Sequence, residues 1–147
     1  MLNQFSRTQL LLGSAGMEKL KQARVAVFGI GGVGGFTAEA LVRSGVGAID
    51  LIDDDKVCLT NINRQIFATR KTVGQYKVDV AAARLTEINP DVTVRTFKTF
   101  YTPDTADQFD FSQYDYIVDA IDTVTGKLAL VEHAAAAGTP IISCMGA

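Results

Sequence analysis

Short apolar runs alternating with helix-like segments predict an α/β fold: a doubly wound, mainly parallel sheet with helices on both faces. A glycine-rich turn after the first run, and an acid closing the second, narrow this to a Rossmann-like arrangement. The length of 147 residues suits one compact domain, residues 1–147.

The elements follow in order. Residues 24–29, Arg-Val-Ala-Val-Phe-Gly, form an apolar run ending in glycine, the pattern of a buried parallel strand. Next comes Gly29-Ile30-Gly31-Gly32-Val33-Gly34, and then a segment with apolar residues at 33, 36, 40 and 41. That spacing predicts a helix with Val33, Phe36, Ala40 and Leu41 in the core. Gly45 and Gly47 punctuate its end, and residues 48–53 read as the second strand, completing a βαβ unit. Residues 54–73 form a polar connection without periodicity, and connections of that length inside a domain are usually functional. A helix is expected from about 74 to 88, stopped by Asn89-Pro90. Strands are expected at 91–96 and 116–119, a helix at 126–137 and a last strand from 141.

Composition excludes several classes. Hydrophobic residues make up 48% and charged residues 20%, which is not the balance of a disordered chain. A formal charge of −2 gives no footprint for bulk nucleic-acid binding, although it leaves a local basic patch open. No apolar run has the length of a membrane span, and the N-terminus lacks the pattern of a signal peptide. Cys58 and Cys144 suggest neither a disulfide framework nor a zinc site. The expectation is a cytoplasmic protein without membrane contact.

The glycines point to a nucleotide. Gly29, Gly31 and Gly34 permit a tight turn, close approach of backbone to phosphate, and close helix–strand packing. The helix start then offers unpaired N–H groups to an anion. Asp53 lies 19 residues beyond Gly34, where a carboxylate can accept hydrogen bonds from ribose hydroxyls. No Walker-type motif occurs, so this is not a P-loop. These features alone suit NAD equally well. The connection after the second strand favours ATP, because a triphosphate needs cations along its length. Arg64 offers a planar fork to phosphate oxygens, and Lys77 adds a point charge. Asp122 follows the end of a strand and is a candidate magnesium ligand, with capping of the next helix as its alternative.

Together these segments resemble the ThiF/MoeB/HesA family, relatives of the ubiquitin-activating enzymes, over Phe5 to Ala147. The family's Gly-x-Gly-Gly-x-Gly is residues 29–34, including Gly32. Its Asp-x-Asp…Asn-x-x-Arg-Gln is Asp53, Asp55, Asn61, Arg64 and Gln65. Its Gly-Gln-x-Lys is residues 74–77, and its Asp-x-x-Asp is Asp119 and Asp122. The resemblance implies ATP and magnesium as cofactors and attack of a substrate carboxylate on the α-phosphate. It implies that Asp53 holds the ribose, with Asp55 beside it. Asn61, Arg64 and Lys77 would meet the phosphates and Asp122 the metal. It also implies a homodimer in which Arg7 crosses to the partner's ATP. Members continue well past residue 147, so it further implies a chain shortened at its C-terminus.

Within the family, Asp122-Thr123-Val124-Thr125-Gly126-Lys127 and the ending Ser143-Cys144-Met145-Gly146-Ala147 resemble one branch. That branch dehydrates threonylcarbamoyladenosine in tRNA, and Arg7-Thr8-Gln9 points the same way. The alternative substrate is the C-terminal carboxylate of a ubiquitin-like sulfur carrier, with sulfur-transfer proteins as partners. A non-catalytic nucleotide-binding or assembly module is the alternative of another class. Cys58 and Cys144 are expected to be buried structural cysteines rather than thioester carriers, and His133 to be structural. Asp119 is left without a role. Lys127 is divided between substrate contact and a solvated helix face.

Overall fold

A computed structural model describes residues 1–145; Gly146 and Ala147, which close the segment singled out above, lie outside the described residues. The chain forms α1 (Ser6–Gln22), β1 (Arg24–Phe28), α2 (Gly32–Ser44), β2 (Ala48–Ile52) and α3 (Lys77–Ile88). It continues with β3 (Thr93–Phe97), β4 (Tyr116–Asp119), α4 (Val124–Ala137) and β5 (Ile141–Ser143). The strands are all parallel, in the order β3–β2–β1–β4–β5. The chain therefore runs outward from β1 to β3, then returns to start again on the other side of β1. The carboxyl ends of β1 and β4 flank this reversal, where open α/β sheets bind ligands.

Alternation along the strands divides the core into two layers, as the two-residue period requires. Val25, Val27, Ile49 and Leu51 pack against Ala38 and Val42 of α2 and Val78, Ala81 and Leu85 of α3. Ala26, Phe28, Ile52 and Ile117 face the opposite way, onto Tyr101, Phe109, Phe111 and α4's Leu130 and Ala134. Each of the larger side chains contributes roughly 1.5–3 kcal/mol by leaving water. The doubly wound expectation holds.

The second layer carries a buried charge. Asp50 of β2 is fully buried and accepts from Arg24 at 2.7 Å, from Arg95 at 2.8 and 2.5 Å, and from the Tyr114 hydroxyl at 2.7 Å. Burial first, and then the Asp50 carboxylate, hold the Tyr114 phenol well above its usual value. This group ties β1, β2, β3 and the segment before β4 together. Asp50→Asn keeps the shape but removes the charge, so the charge-assisted bonds weaken. Urea denaturation is expected to register a loss of about 2 kcal/mol; an unchanged midpoint would show that the network contributes nothing.

Three expectations need correction. The helix α1 was not foreseen, and it contains no buried residue and is broken at Gly13. α2 begins earlier than the apolar spacing indicated and buries Gly34, Gly35, Ala38 and Val42. Phe36 is 54% exposed and Ala40 is also exposed, while Val33 and Leu41 are only partly buried. Small residues win the inner face because the helix lies close against the chain; a Cβ on Gly35 would touch Phe67 at 3.3 Å. Glu39 on that helix is buried too. Burial opposes its charge, yet Arg84 and Arg43 together hold its carboxyl below the usual range. Lastly, α3 starts at Lys77 rather than 74, because Tyr76 is held in an antiparallel bridge with Lys56.

Candidate functional site

β1 ends at Phe28, and the chain must turn at once into α2. Gly29 makes that turn with φ at 92°, its N–H donating to the Ile52 carbonyl at 2.8 Å. A Cβ there would lie 2.6 Å from the Ala120 carbonyl oxygen, so only glycine fits. No side chain caps α2, whose N-cap is Gly31. Its first amides are free for an anion, and the helix dipole favours one.

Asp53 braces this loop from the end of β2. One carboxylate oxygen accepts from the Ile30 N–H at 2.7 Å and the other from the Asp55 N–H at 2.8 Å. Burial pushes its carboxyl above the usual value, against the pull of the Asp55 and Ile30 amides and of Lys77. Each oxygen keeps a lone pair for a ligand hydroxyl. Loop and carboxylate together open onto a cavity of about 410 Å³.

That cavity gathers nearly every residue singled out from the sequence. Gly29, Gly31, Gly32, Asp53, Asp55 and Asn61 line it, as do Arg64, Lys77 and Asp122. Gly34 does not, because it serves the packing behind the loop. Arg7 is absent as well, being exposed on α1. Asn61 spends its side-chain oxygen on the Cys58 N–H at 2.8 Å, leaving its NH₂ group for a ligand. Arg64 donates to the Thr60 carbonyl at 3.1 Å and to Asn63 at 3.0 Å, with no carboxylate partner among the described residues. Lys77 is only 7% exposed, and among the described residues its sole carboxylate contact is Asp55 at 3.5 Å. A buried ammonium so loosely paired attracts a further anion. Asp122 is exposed on the cavity wall and has no hydrogen bond among the described residues. The N-cap of α4 is Thr123, so the capping alternative for Asp122 is not realised.

Asp119 and Lys127 turn out to be partners. Asp119 is fully buried, and both its oxygens accept from Lys127 Nζ at 3.2 Å. It also accepts from the Ile121 N–H at 3.1 Å, and Lys127 donates to the Cys144 carbonyl. The pair fixes the turn that carries Asp122 and joins α4 to β4. Lys127 is thus neither on a solvated face nor among the cavity-lining residues. Cys58 is exposed, contrary to expectation, because the turn over Leu59–Asn61 holds it at the surface; Cys144 is partly buried.

Sequence reasoning missed the wall formed by Thr99, Phe100 and Tyr101. Their position just beyond the carboxyl end of β3 was the available signal. Tyr101 packs edge-on against Phe28 and shares a hydrogen bond with His133 Nδ1, which gives His133 the structural role expected of it. Burial pushes the Tyr101 phenol up to about 12 from its ordinary value near 10. The folded state holds this proton longer, so its contribution is complete below pH 10 and is lost as pH rises towards 12. Urea midpoints are expected to fall across that window, and Tyr101→Phe to flatten part of the fall. An identical alkaline profile in the variant would remove Tyr101 as a cause.

A glycine turn at a helix start and a braced strand-end acid, at the reversal of a five-stranded parallel sheet, define a Rossmann-like α/β domain. The chain belongs to the ThiF family, whose model matches residues 5–147. It is 51% identical to the tRNA threonylcarbamoyladenosine dehydratase of Bacillus subtilis (strain 168), over the whole of this chain and 58% of that protein. The crystal structure of the Escherichia coli tRNA N6-threonylcarbamoyladenosine dehydratase in complex with ATP superposes with a TM-score of 0.93 at 44% identity. That match covers 95% of this chain and 58% of the other. The adenylyltransferase and sulfurtransferase MOCS3 of Culex quinquefasciatus is 40% identical over 95% of this chain and 32% of its own. The chain thus spans a little over half the length of these dehydratases.

Proposed function

We propose that this chain is an ATP-binding domain that adenylates a carboxylate, namely that of N6-threonylcarbamoyladenosine in tRNA. One observation carries the reading: Asp53, Arg64, Lys77 and Asp122 converge with the glycine loop on one cavity. The ribose is held by Asp53 and the phosphates by the α2 amides, Asn61, Arg64 and Lys77. The substrate carboxylate forms a bond to the α-phosphorus, the bond to the β-phosphate breaks, and pyrophosphate leaves. Attack by a group within the same substrate then closes a ring and expels AMP. Two anions must meet, so neutralisation by Arg64 and Lys77 dominates the lowering of the barrier. The protein supplies no nucleophile.

Magnesium fits the donor set. Asp122 is a carboxylate on the cavity wall with no partner among the described residues, and Asp53, Asp54 and Asp55 offer oxygens within 4.8 Å of one another. Hard oxygen donors beside a phosphate site are what the ion takes. When bound, it would neutralise phosphate charge.

A second copy of the chain is the partner best suited to α1. Leu10, Leu11 and Leu12 are 85%, 86% and 51% exposed, an apolar patch of the kind that partners cover. Arg7 lies on the same helix, which supports its delivery to the site of a second copy. No described helix is long and apolar enough to cross a membrane. On the tRNA reading the reaction is a cytoplasmic one.

The likeness to MOCS3 favours a second reading, activation of a sulfur carrier. Labelled ATP incubated with the protein and either tRNA bearing N6-threonylcarbamoyladenosine or a ubiquitin-like carrier separates the two. Pyrophosphate release is expected with the tRNA alone. Release only with the carrier would replace the proposal, and release with neither would leave a binding module.

A further inference from the structure

Asp122 makes no bond of its own among the described residues, so its place on the cavity wall is set by the turn that carries it. That turn, residues 120–123, runs from the end of β4 to the start of α4. The Ala120 N–H donates to the Phe28 carbonyl at 2.8 Å, and the Lys127 N–H to the Thr123 carbonyl at 3.1 Å. Across the base of the turn lies the buried pair. Lys127 Nζ has three protons, and the two Asp119 oxygens, each at 3.2 Å, and the Cys144 carbonyl take them. None is left for a ligand, so this ammonium acts on the site only through the backbone it holds. Asp119 is tied further, its carbonyl accepting from the Cys144 N–H at 2.8 Å. The packing leaves no slack. A Cβ on Gly126 would lie 2.8 Å from Thr123 Oγ1 and 3.3 Å from both Ile121 Cγ2 and the Tyr101 carbonyl oxygen. Stability alone does not account for a buried pair, because two apolar side chains of similar volume often serve a fold as well. What charged hydrogen bonds add is direction.

We infer that Asp119 and Lys127 are positioning residues, whose buried pair holds the 120–123 turn so that the Asp122 carboxylate meets a divalent cation in the cavity. The inference rests on the adenylation reading, which supplies the cation, and adds to it the part of the fold that aims the ligand.

Calorimetry of ATP binding with magnesium and with EDTA gives the gain that the ion adds. In the Asp119→Asn/Lys127→Met chain, which loses both charges and keeps their volume, magnesium–ATP is expected to bind roughly 10-fold or more weakly, the scale for losing partners behind a metal ligand. Metal-free ATP should bind as in the parent. Adding Asp122→Ala should then cost nothing further, since both changes act through one carboxylate. Where the paired variant does not fold, Asp119→Asn, which leaves Lys127 its Cys144 carbonyl, is read in its place. An undiminished magnesium gain, an equal loss of metal-free ATP, or a loss that adds to that of Asp122→Ala overturns the inference. A parent chain that binds no ATP under either condition would instead remove the adenylation reading, and this inference with it.

Discussion

Gly34→Ala is expected to lower the melting temperature by about 10 °C and to abolish the stabilisation that ATP gives, both readable in one thermal-shift experiment. The cause is a collision with backbone. A Cβ on Gly34 would lie 1.7 Å from the Gly29 carbonyl oxygen and 2.8 Å from its carbon, distances no relaxed side chain tolerates. Gly29 cannot retreat. Its N–H is fixed to the Ile52 carbonyl, and on the other side the Ala120 carbonyl is already close. The start of α2 must therefore move away from β1, at a cost of about 3 kcal/mol or more, and the free amides move with it. Gly31→Ala is the control. Its Cβ would meet nothing nearer than Gln65 Nε2 at 3.7 Å and its φ is −98°, so the variant should fold like the parent. A Gly34→Ala protein that melts within about 1 °C of wild type would show that α2 is not held against the loop.

Lys77→Ala and Asp122→Ala are each expected to slow substrate-dependent ATP–pyrophosphate exchange by about 100-fold or more, the scale for losing one aimed charge contact. Stability should barely change. Among the described residues Lys77 pairs with the mostly exposed Asp55 alone, and a pair at 3.5 Å whose carboxylate is open to water contributes about 1 kcal/mol or less. Asp122 has no partner to lose among the described residues. A large kinetic effect with an unaltered melting curve would place both groups on the nucleotide. Exchange at the wild-type rate in Asp122→Ala would withdraw that residue from the site, and the same result in Lys77→Ala would leave the triphosphate without its inner cation.

The order of strands and helices was readable because alternation of period two and glycine punctuation are local properties of a chain. Hence β1, β2, β4 and the helix before Asn89 lie close to where periodicity put them. The helix α1 was not readable. Leu10, Leu11 and Leu12 are consecutive rather than spaced by turns, and none is buried, so no stripe marks the segment. The inner face of α2 was misread for the opposite reason. Hydrophobicity favoured Phe36 and Ala40, whereas the close approach of the helix to the chain puts glycine and alanine at 34, 35 and 38 on the inner face.

For the site, residue type and spacing were enough to name the glycine turn, Asp53, Arg64, Lys77 and Asp122 as candidates, because each sits in a motif whose chemistry is local; Asn61 came from the family resemblance. What these residues do to one another depended on packing between segments far apart in the chain. Asp119 became a buried partner of Lys127 once α4 lay back on β4, and Phe100 reached the cavity only because β3 pairs beside β2. Pairing and burial join positions dozens of residues apart, and no short-range pattern encodes which of them will meet.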